Sequence, residues 1–386
     1  MAAPSAGLPP AMKAQFLDAF NTPYTLRSVG LPKITSPQDV LIKVEAVGYC
    51  HTDAVVAAGA MPENLVTFPH IGGHEFAGTI AAIPPNALPP AKNGFKVGDR
   101  VGVVGRAYHP CGECGECMAP EDEQSDPQGY SIYCPTGGNS GITMDGGFGE
   151  YAVVDARQLV HMPAEISAVE TAPLMCAGLT IYAALKRCGL QPGQSVGIMG
   201  CGGGLGHLGL QFADKMGYKV VGVDTVDRAL ELARSLGTNA RIIDARVEKD
   251  ASSIAQGINS TRETDGGSKP RPPSERGLDA VIILPEAQAA FDYGMQLLRN
   301  RGRCVVVSFP TRGFNVSGND LVFRDIEVVG TLLGSIKLAR EMMAFCAKYG
   351  VKAVTKMFTL EGLNELVEES QRGAGGKLVL DLSLKK

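Results

Sequence analysis

The sequence predicts an α/β protein built from a β-rich part and a doubly wound parallel sheet. The first observation is a series of short strand patterns between residues 40 and 154, separated by glycine-rich turns. The second is an alternation of buried strands and helices that begins after Cys176. The third is the length of 386 residues, of which 45% are hydrophobic, since this is enough for more than one core.

The β-rich part contains four clear strand patterns. Before them, residues 1 to about 35 are interrupted by prolines, which predicts an irregular segment with one short strand at most. The patterns either alternate apolar and polar residues or follow a glycine-rich turn, as strands do. They are Val40–Val47, Phe76–Ile80, Gly98–Val104 and Gly146–Val154.

Composition excludes two classes of partner. The formal net charge of -4 and the pI near 5.9 leave no broad basic surface for a nucleic acid or an acidic membrane. No run reaches the ~18 apolar residues of a membrane span, and the N-terminus lacks the pattern of a signal peptide. We therefore expect a cytoplasmic protein whose ten cysteines serve as thiols rather than as disulfides.

Three residues from distant parts of the chain form a predicted metal centre. Cys50 follows the run Val40–Val47, where a strand gives way to a loop, and His74 precedes the strand pattern Phe76–Ile80. Cys176 opens a helical pattern, and a helix N-terminus favours a thiolate. Two thiolates and one imidazole are a ligand set for zinc with an open fourth position, which is typical of a catalytic site. Taken singly, a cysteine is often a small buried side chain and a histidine a hydrogen-bonded one.

A second group of cysteines predicts a structural metal. Four thiols, the first three spaced by two residues, can surround one tetrahedral ion and leave no position for substrate. An acidic insert at residues 120–127 lengthens the gap before the fourth thiol, so His109 is an alternative ligand. A disulfide pair is the other alternative. The four thiols are Cys111, Cys114, Cys117 and Cys134.

Residues 196–224 have the pattern of a βαβ unit that binds a dinucleotide. Two buried strands flank a glycine-rich turn and a helix, and the glycines let the backbone approach a pyrophosphate. Because Leu205 breaks the strict G-x-G-x-x-G fingerprint, the spacing that fits is Gly200-x-x-Gly203-x-x-Gly206, and a generic tight turn is the alternative. The turn contains Gly200, Gly202, Gly203, Gly204 and Gly206.

The acidic residue that ends this unit predicts the cofactor. Asp224 lies about twenty positions after the turn, where a carboxylate accepts hydrogen bonds from the ribose hydroxyls of NAD and repels the 2′-phosphate of NADP. Arg228, one helical turn further on, either softens this preference or is a solvated helix residue. We therefore expect NAD.

The strands and helices continue to residue 308, as in a doubly wound sheet. The polar segment 257–277 interrupts them and predicts an exposed inserted loop, which is either neutral or in contact with a partner subunit. The sequence then predicts a last sheet strand, two helices and a terminal strand. These are Val328–Gly334, 335–349, Leu360–Ser370 and Lys377–Leu382.

Four motifs occur in a fixed order along the chain: Cys50-His51-Thr52-Asp53, Gly73-His74-Glu75-Phe76-Ala77-Gly78, the Cys111/Cys114/Cys117 group and Cys176-Ala177-Gly178. Together they resemble the zinc-dependent alcohol dehydrogenases of the medium-chain dehydrogenase/reductase superfamily. The resemblance implies a GroES-like catalytic domain with a structural-zinc lobe (residues 1–178 and 325–386) and a Rossmann cofactor domain (179–324). It also implies NAD, two zinc ions per chain, a small-molecule alcohol or aldehyde as substrate, and a homodimer or homotetramer.

The resemblance implies a role for each residue around the catalytic metal. Cys50, His74 and Cys176 are the ligands of the zinc ion. Glu75 is a nearby carboxylate that approaches the metal when the open position exchanges. Asp53 orients the zinc-bound imidazole, because a hydrogen bond to the other ring nitrogen fixes its tautomer.

The resemblance also implies a path for the proton. Thr52 takes the proton from the bound alcohol and passes it to the cofactor ribose, while His51 contacts the pyrophosphate or, alternatively, acts as a base. Val55 stands where members of the family that process small alcohols often have a histidine, so the proton is expected to leave through water or His51.

The resemblance also bears on the substrate, because members of the family specialised for ethanol-sized substrates narrow the pocket with large aromatic residues. This chain has no tryptophan, so the resemblance implies a roomier pocket and a bulky primary alcohol or aldehyde. A secondary-alcohol or polyol dehydrogenase would share every motif and is the alternative within the superfamily. A zinc-stabilised scaffold that has lost its chemistry is the alternative from another class.

Overall fold

The computed structural model of the chain describes residues 7–61, 66–120, 126–264, 267–373 and 375–384. Most of the acidic insert at 120–127 therefore lies outside the described residues. The chain divides into two compact units. The first takes in residues 1–179, 334–373 and 377–386, and the second takes in residues 180–333 and 374–376.

The first unit is organised around a seven-stranded sheet. Its central strand, Asp39–Tyr49, is the longest, and it is buried along most of its length because its apolar residues continue on both faces. This strand pairs with Glu75–Ala82 on one side and with Lys377–Asp381 and Tyr151–Asp155 on the other. The path of the sheet is Thr355–Phe358, Lys377–Asp381, Asp39–Tyr49, Glu75–Ala82, Arg100–Val104 and Leu159–His161, with Tyr151–Asp155 beside Asp39–Tyr49. The predicted β-rich part and the terminal strand are confirmed.

The N-terminal segment is more regular than the prolines suggest. Ala11–Phe16 and Thr25–Gly30 form an antiparallel pair, so the expectation of one short strand at most is wrong. The prolines stand outside both strands, where they interrupt no ladder hydrogen bond. Another small sheet joins Arg106–Tyr108 to Gly138–Asn139.

The second unit contains a six-stranded sheet in which every strand pair is parallel. Its order is Arg241–Asp244, Lys219–Asp224, Ser195–Met199, Leu278–Ile283, Leu298–Val306 and Glu327–Gly330. This order reverses between Ser195–Met199 and Leu278–Ile283, which makes their carboxyl ends the place where doubly wound sheets bind a ligand. The predicted doubly wound sheet is confirmed.

Helices connect the strands of this sheet, and their apolar faces pack on it. Phe291, Met295 and Leu297 of one helix lie in a core cluster with Ile283 and Cys304 of the strands. The helices of the second unit are Leu179–Arg187, Gly206–Lys215, Asp227–Ser235, Ala251–Gly257, Gln288–Leu297 and Gly318–Val322. Those of the first unit are His51–Ala57, Ala91–Gly94, Ala168–Pro173, Ile336–Tyr349 and Leu363–Gln371.

Two expectations about the second unit need correction. The segment 257–277 is not an unstructured loop, because Thr261–Thr264 pairs with Gly267–Pro270 in an antiparallel hairpin. Residues 325–333, expected in the first domain, lie in the second unit because Glu327–Gly330 hydrogen-bonds to Leu298–Val306.

A continuous helical run surrounds Cys176. Ala168–Pro173 is α-helical, Leu174–Gly178 forms a π-helical turn, and Leu179–Arg187 continues as an α-helix. Cys176 therefore lies inside a helix. The expectation that it stands at a helix N-terminus is wrong. Pro173 cannot donate a backbone hydrogen bond, and its ring displaces the preceding turn, which favours the wider π turn here.

This run also passes a test of membrane-span length and composition. Among the described residues, 168–187 form the one helix that is long and apolar enough to cross a membrane. The sequence contains no uninterrupted apolar run of that length, so this helix was not expected to pass. Because 83% of its most apolar window is buried inside the protein, the finding is weak evidence for a span, and core helices give the same result.

Candidate metal and cofactor sites

Two segments position the first thiol and the imidazole of the predicted metal centre. Cys50 follows the central strand and caps the short helix His51–Ala57, so a helix stands where a loop was expected. Gly73 has a φ of 88°, a left-handed conformation that glycine adopts without strain, and it turns the chain just before His74. Glu75 then begins the neighbouring strand. The sheet register places Gly48 opposite Glu75, and this brings the two segments together.

The four side chains converge on one point. The ligand atoms of Cys50, His74, Glu75 and Cys176 all lie within 4.8 Å of one another. His74 Nε2 lies 3.3 Å from Cys176 Sγ, although 102 residues separate them in the chain. Two sulfurs and one imidazole nitrogen at this separation match the donor set of zinc with a position left for an exchangeable ligand. The residues therefore fit a zinc ion.

Asp53 connects the imidazole to the cysteine loop. One carboxylate oxygen lies 3.0 Å from His74 Nδ1, and the other accepts a hydrogen bond of 2.8 Å from the backbone of Cys50. Burial lowers the pKa of His74, but the charge and hydrogen bond of Asp53 outweigh it and raise that pKa above its usual value. The contact directs Nε2 toward the sulfurs.

One residue of this group was not predicted from the sequence. Lys377, which is 4% exposed, forms an ion pair with the fully buried Glu75 and donates a hydrogen bond of 2.9 Å to the backbone oxygen of Tyr49. Burial raises the pKa of Glu75 to about 7, against the opposing effect of the Lys377 charge. A β-carbon on Gly48 would overlap the Glu75 carboxylate, so the glycine provides the space for it. The only signal in the sequence was a lysine at the start of an apolar strand.

The residues of the predicted proton path lie on the first turns of His51–Ala57. Thr52 and Val55 are half-buried, and His51 is exposed and makes contacts within the protein. Because Thr52 and His51 directly follow the Cys50 cap, both begin the helix beside the metal centre.

The second group of cysteines also converges. All four sulfurs lie within 4.8 Å of one another, and those of Cys111 and Cys134 are 3.7 Å apart. Zinc–sulfur bonds of about 2.3 Å in a tetrahedron separate the sulfurs by about 3.8 Å, so the group fits zinc. The cysteines are free, so the disulfide alternative is wrong. The imidazole of His109 lies 2.7 Å from Asp39, and it is Cys134 that completes the group.

The thiols of this group differ in their acidity. Burial raises the pKa of Cys134, but hydrogen bonds from Thr136 and from the backbone of Cys111 outweigh it and lower that pKa to about 6. Burial raises the pKa of Cys117 to about 12. Backbone hydrogen bonds from Glu113 and Cys114 lower the pKa of Cys111. The site therefore stabilises negative charge on part of its ligand set before any ion binds.

The glycine-rich turn lies at the carboxyl end of Ser195–Met199. Gly200 has a φ of 78°, and β-carbons on Gly202 or Gly206 would overlap the backbone oxygens of Ala229 and Gly200. Gly200 is required by its left-handed backbone, and Gly202 and Gly206 are required by close packing. Gly203 has no such contact, and its amide donates a hydrogen bond of 3.2 Å to the backbone oxygen of Gly200. It is half-exposed together with Gly204 and Leu205, so the chain before the helix Gly206–Lys215 is accessible to an anion.

Asp224 is held in place at the end of the next strand. Its carboxylate accepts hydrogen bonds from the backbone nitrogens of Gly202, Thr225 and Val226 at 3.0, 2.8 and 3.2 Å. The first of these bonds joins the acidic residue to the glycine-rich turn. Arg228 is exposed on the following helix.

Two family models match the chain. The model for the alcohol dehydrogenase GroES-like domain matches residues 36–164, and the model for zinc-binding dehydrogenases matches residues 204–348. The first match includes six of the seven cysteine and histidine residues in the two metal groups, all except Cys176. The second includes Asp224 and most of the doubly wound sheet.

Relatives match over almost the whole chain. An alcohol dehydrogenase of Geobacillus stearothermophilus is 33% identical, over 96% of this chain and 99% of its own. Alcohol dehydrogenase 1 of Emericella nidulans is 31% identical, over 97% of this chain and 99% of its own. The crystal structure of the alcohol dehydrogenase of Aeropyrum pernix has a TM-score of 0.79 at 27% identity and covers 96% of this chain and 99% of that one.

Proposed function

Because the chain belongs to the zinc-dependent alcohol dehydrogenase family of the medium-chain dehydrogenase/reductase superfamily, we propose that it interconverts a bulky primary alcohol and its aldehyde by hydride transfer with NAD. The protein is an oxidoreductase of the alcohol dehydrogenase type. The proposed finer points are the cofactor, the substrate preference and the role of each residue.

The convergence of Cys50, His74 and Cys176 carries the proposal. These residues would hold a zinc ion, which as a Lewis acid makes a bound alcohol more acidic and polarises a bound carbonyl. Asp53 orients His74 and keeps Nε2 free for the ion. Lys377 neutralises Glu75, so that the buried carboxylate adds no uncompensated charge beside the two thiolates. The other four cysteines would hold a second, structural zinc.

The chain supplies the proton path through a hydroxyl. Thr52 Oγ1 accepts the proton of the alcohol and donates its own onward, as a general base in relay does. Val55 cannot carry a proton, so His51 or water takes it to solvent. The His51 imidazole can also donate a hydrogen bond to the cofactor pyrophosphate.

The glycine-rich turn and Asp224 support the choice of NAD. The amides near Gly203 suit the pyrophosphate, and the Asp224 carboxylate suits the ribose hydroxyls and opposes a 2′-phosphate. The predicted homodimer or homotetramer and the cytoplasmic location stay predictions.

A panel of alcohols and aldehydes with NADH and NADPH, followed by absorbance, tests the proposal. We expect turnover of primary substrates with NADH, and faster turnover of aromatic aldehydes than of acetaldehyde. A preference for secondary alcohols or polyols would favour the alternative within the superfamily. Absence of turnover with every substrate would favour the non-enzymatic scaffold.

A further inference from the structure

Arg106 lies beside the metal centre and has no role in the chemistry described above. It follows Gly105, and a β-carbon on Gly105 would overlap the backbone oxygen of His74. Val104, two residues before Arg106, pairs with Glu75 in the sheet. The backbone that carries Arg106 therefore packs directly on the segment that supplies the imidazole.

The position of Arg106 is fixed by its own backbone. Its carbonyl oxygen accepts hydrogen bonds from Tyr130 Oη at 3.1 Å and from Gln158 Nε2 at 3.0 Å. It also belongs to the small sheet with Asn139. A fixed backbone restricts the directions that the Arg106 side chain can take, and recognition of a ligand requires such restriction.

The guanidinium of Arg106 is half-buried and poorly satisfied. Nε donates one long hydrogen bond of 3.4 Å to the backbone oxygen of Ile132, and the two terminal nitrogens have no hydrogen-bond or ion-pair partner within the part of the chain that the structure describes. Burial lowers the pKa of Arg106, and the nearby side chains of Cys176 and Tyr133 act in the opposite direction.

Arg157 of the same unit is satisfied by the protein, since it forms an ion pair with the buried Asp155 and a further hydrogen bond to Gln38. Arg100 resembles Arg106 more closely, with one hydrogen bond of 2.7 Å to the backbone oxygen of Ile166, but it is not next to the His74 segment. The terminal nitrogens of Arg106 are not among the fully buried atoms without a partner, so a ligand can reach them from solvent.

We propose that Arg106 binds a carboxylate on the substrate, so that the enzyme acts on aldehydes that carry an acid group and on the corresponding hydroxy acids. This inference rests on the proposed function, since it names the substrate class of the same site. The planar guanidinium matches a carboxylate with two parallel hydrogen bonds.

The carboxylate lies away from the reacting carbon, and its contact with Arg106 is the same before and during hydride transfer. Such uniform binding appears in KM rather than in kcat. A role of Arg106 in folding alone would instead lower the activity toward acidic and neutral aldehydes together.

Matched pairs of aldehydes test the proposal. The pairs are 4-carboxybenzaldehyde with 4-methylbenzaldehyde, and 6-oxohexanoate with hexanal. For each pair the ratio of kcat/KM for the acid to that for the neutral aldehyde is measured in the wild type, Arg106→Leu and Arg106→Lys. The control is Arg100→Leu, which removes another half-buried arginine of the same unit. Calorimetry of 4-carboxybenzyl alcohol without nucleotide gives a readout that does not depend on turnover.

The wild type is expected to prefer the acid of at least one pair. Arg106→Leu should lower the ratio about 10- to 100-fold through KM, because a charge-assisted pair is lost. Arg106→Lys should give an intermediate ratio, since lysine keeps the positive charge but cannot donate two parallel hydrogen bonds to a carboxylate. Arg100→Leu should leave the ratio as in the wild type.

An unchanged ratio in Arg106→Leu, together with wild-type affinity for 4-carboxybenzyl alcohol, would overturn the role of Arg106 while leaving the proposed function intact. Absence of turnover with every aldehyde would overturn the proposed function. In that case calorimetry still decides about Arg106, because weaker binding of the carboxylate by Arg106→Leu would support the inference.

Discussion

The Asp53 carboxylate lies 3.0 Å from Nδ1 of His74, and both side chains are buried. The same carboxylate accepts the backbone hydrogen bond of Cys50, so one residue orients the imidazole and fixes the loop of a proposed thiolate ligand. Asp53 therefore helps to position two of the three proposed zinc ligands, Cys50 and His74.

Replacing Asp53 by Asn should weaken zinc binding about 10- to 100-fold, because the imidazole loses a charged partner that fixes its tautomer and basicity. Competition with a chelator measures this affinity. Asp99→Asn is the control, since Asp99 only accepts a backbone hydrogen bond in an exposed turn. Equal zinc affinity of Asp53→Asn and the wild type would remove Asp53 from the site.

The proton path makes a prediction about two residues of one helix. Thr52→Ala should lower kcat by about 100-fold or more, because the hydroxyl that accepts the proton is lost. Thr52→Ser should keep most of the activity. Val55→His should not impair turnover, since it only adds a group that can carry the proton. Steady-state kinetics checks this, and wild-type rates in Thr52→Ala would exclude the hydroxyl.

Lys377 makes a prediction about stability. Lys377→Met leaves the buried Glu75 without its partner and should reduce the free energy of unfolding by about 3–5 kcal/mol. The matched control is Lys356→Met, because Lys356 pairs with Glu369 at 3.0 Å while its own side chain is 58% exposed. The control should change stability by about 1 kcal/mol or less.

Denaturant unfolding of the zinc-loaded protein measures both Lys377→Met and its control. Equal small effects would mean that the charge of Glu75 is compensated by other groups. Lys377→Met combined with Glu75→Gln should recover part of the loss, since the amide removes the uncompensated charge.

Asp126 predicts a pH dependence away from the metal ligands. It is buried and accepts a hydrogen bond of 2.8 Å from the backbone of Ile336, and burial raises its pKa to about 6. The folded state then binds more protons than the unfolded state between about pH 4 and pH 6, so this carboxyl makes stability fall as pH rises through that range.

Asp126→Asn keeps the acceptor oxygen and removes the titration. We expect it to flatten the stability curve between pH 4 and pH 6, by up to about 3 kcal/mol at the upper end. Denaturant unfolding across this range measures the slope. The control Asp18→Asn changes a carboxyl that pairs with Arg27 at the surface, and it should alter the slope much less than Asp126→Asn because an exposed pair contributes little. An unchanged slope in Asp126→Asn would show that the carboxyl is not perturbed.

Local patterns were sufficient to predict most strands of the two larger sheets, the doubly wound order and the cysteine and histidine residues of both metal groups. Cys50 and His74 stand at strand ends, where periodicity changes, and this is visible in the sequence. The π turn at Cys176 was missed because it depends on how Pro173 continues a helix. The spacing of apolar residues in a helix does not reveal that one turn contains an extra residue, as a π turn does.

Contacts between distant residues explain the other omissions. Lys377 pairs with Glu75 across the sheet, and Arg106 lies beside the metal centre because the preceding Gly105 packs on the backbone of His74. Neither residue has a motif of its own. The hairpin Thr261–Thr264 with Gly267–Pro270 was missed because its sequence is polar, and no apolar alternation indicates its strands.

Metal content, measured together with activity, tests the central claim most directly. The wild type should contain two zinc ions per chain. Cys176→Ser should contain one and lose alcohol dehydrogenase activity, whereas Cys117→Ser should lose the other ion. The account would be contradicted by a wild type with a single zinc ion, or by a Cys176→Ser variant that reduces aldehydes at the wild-type rate.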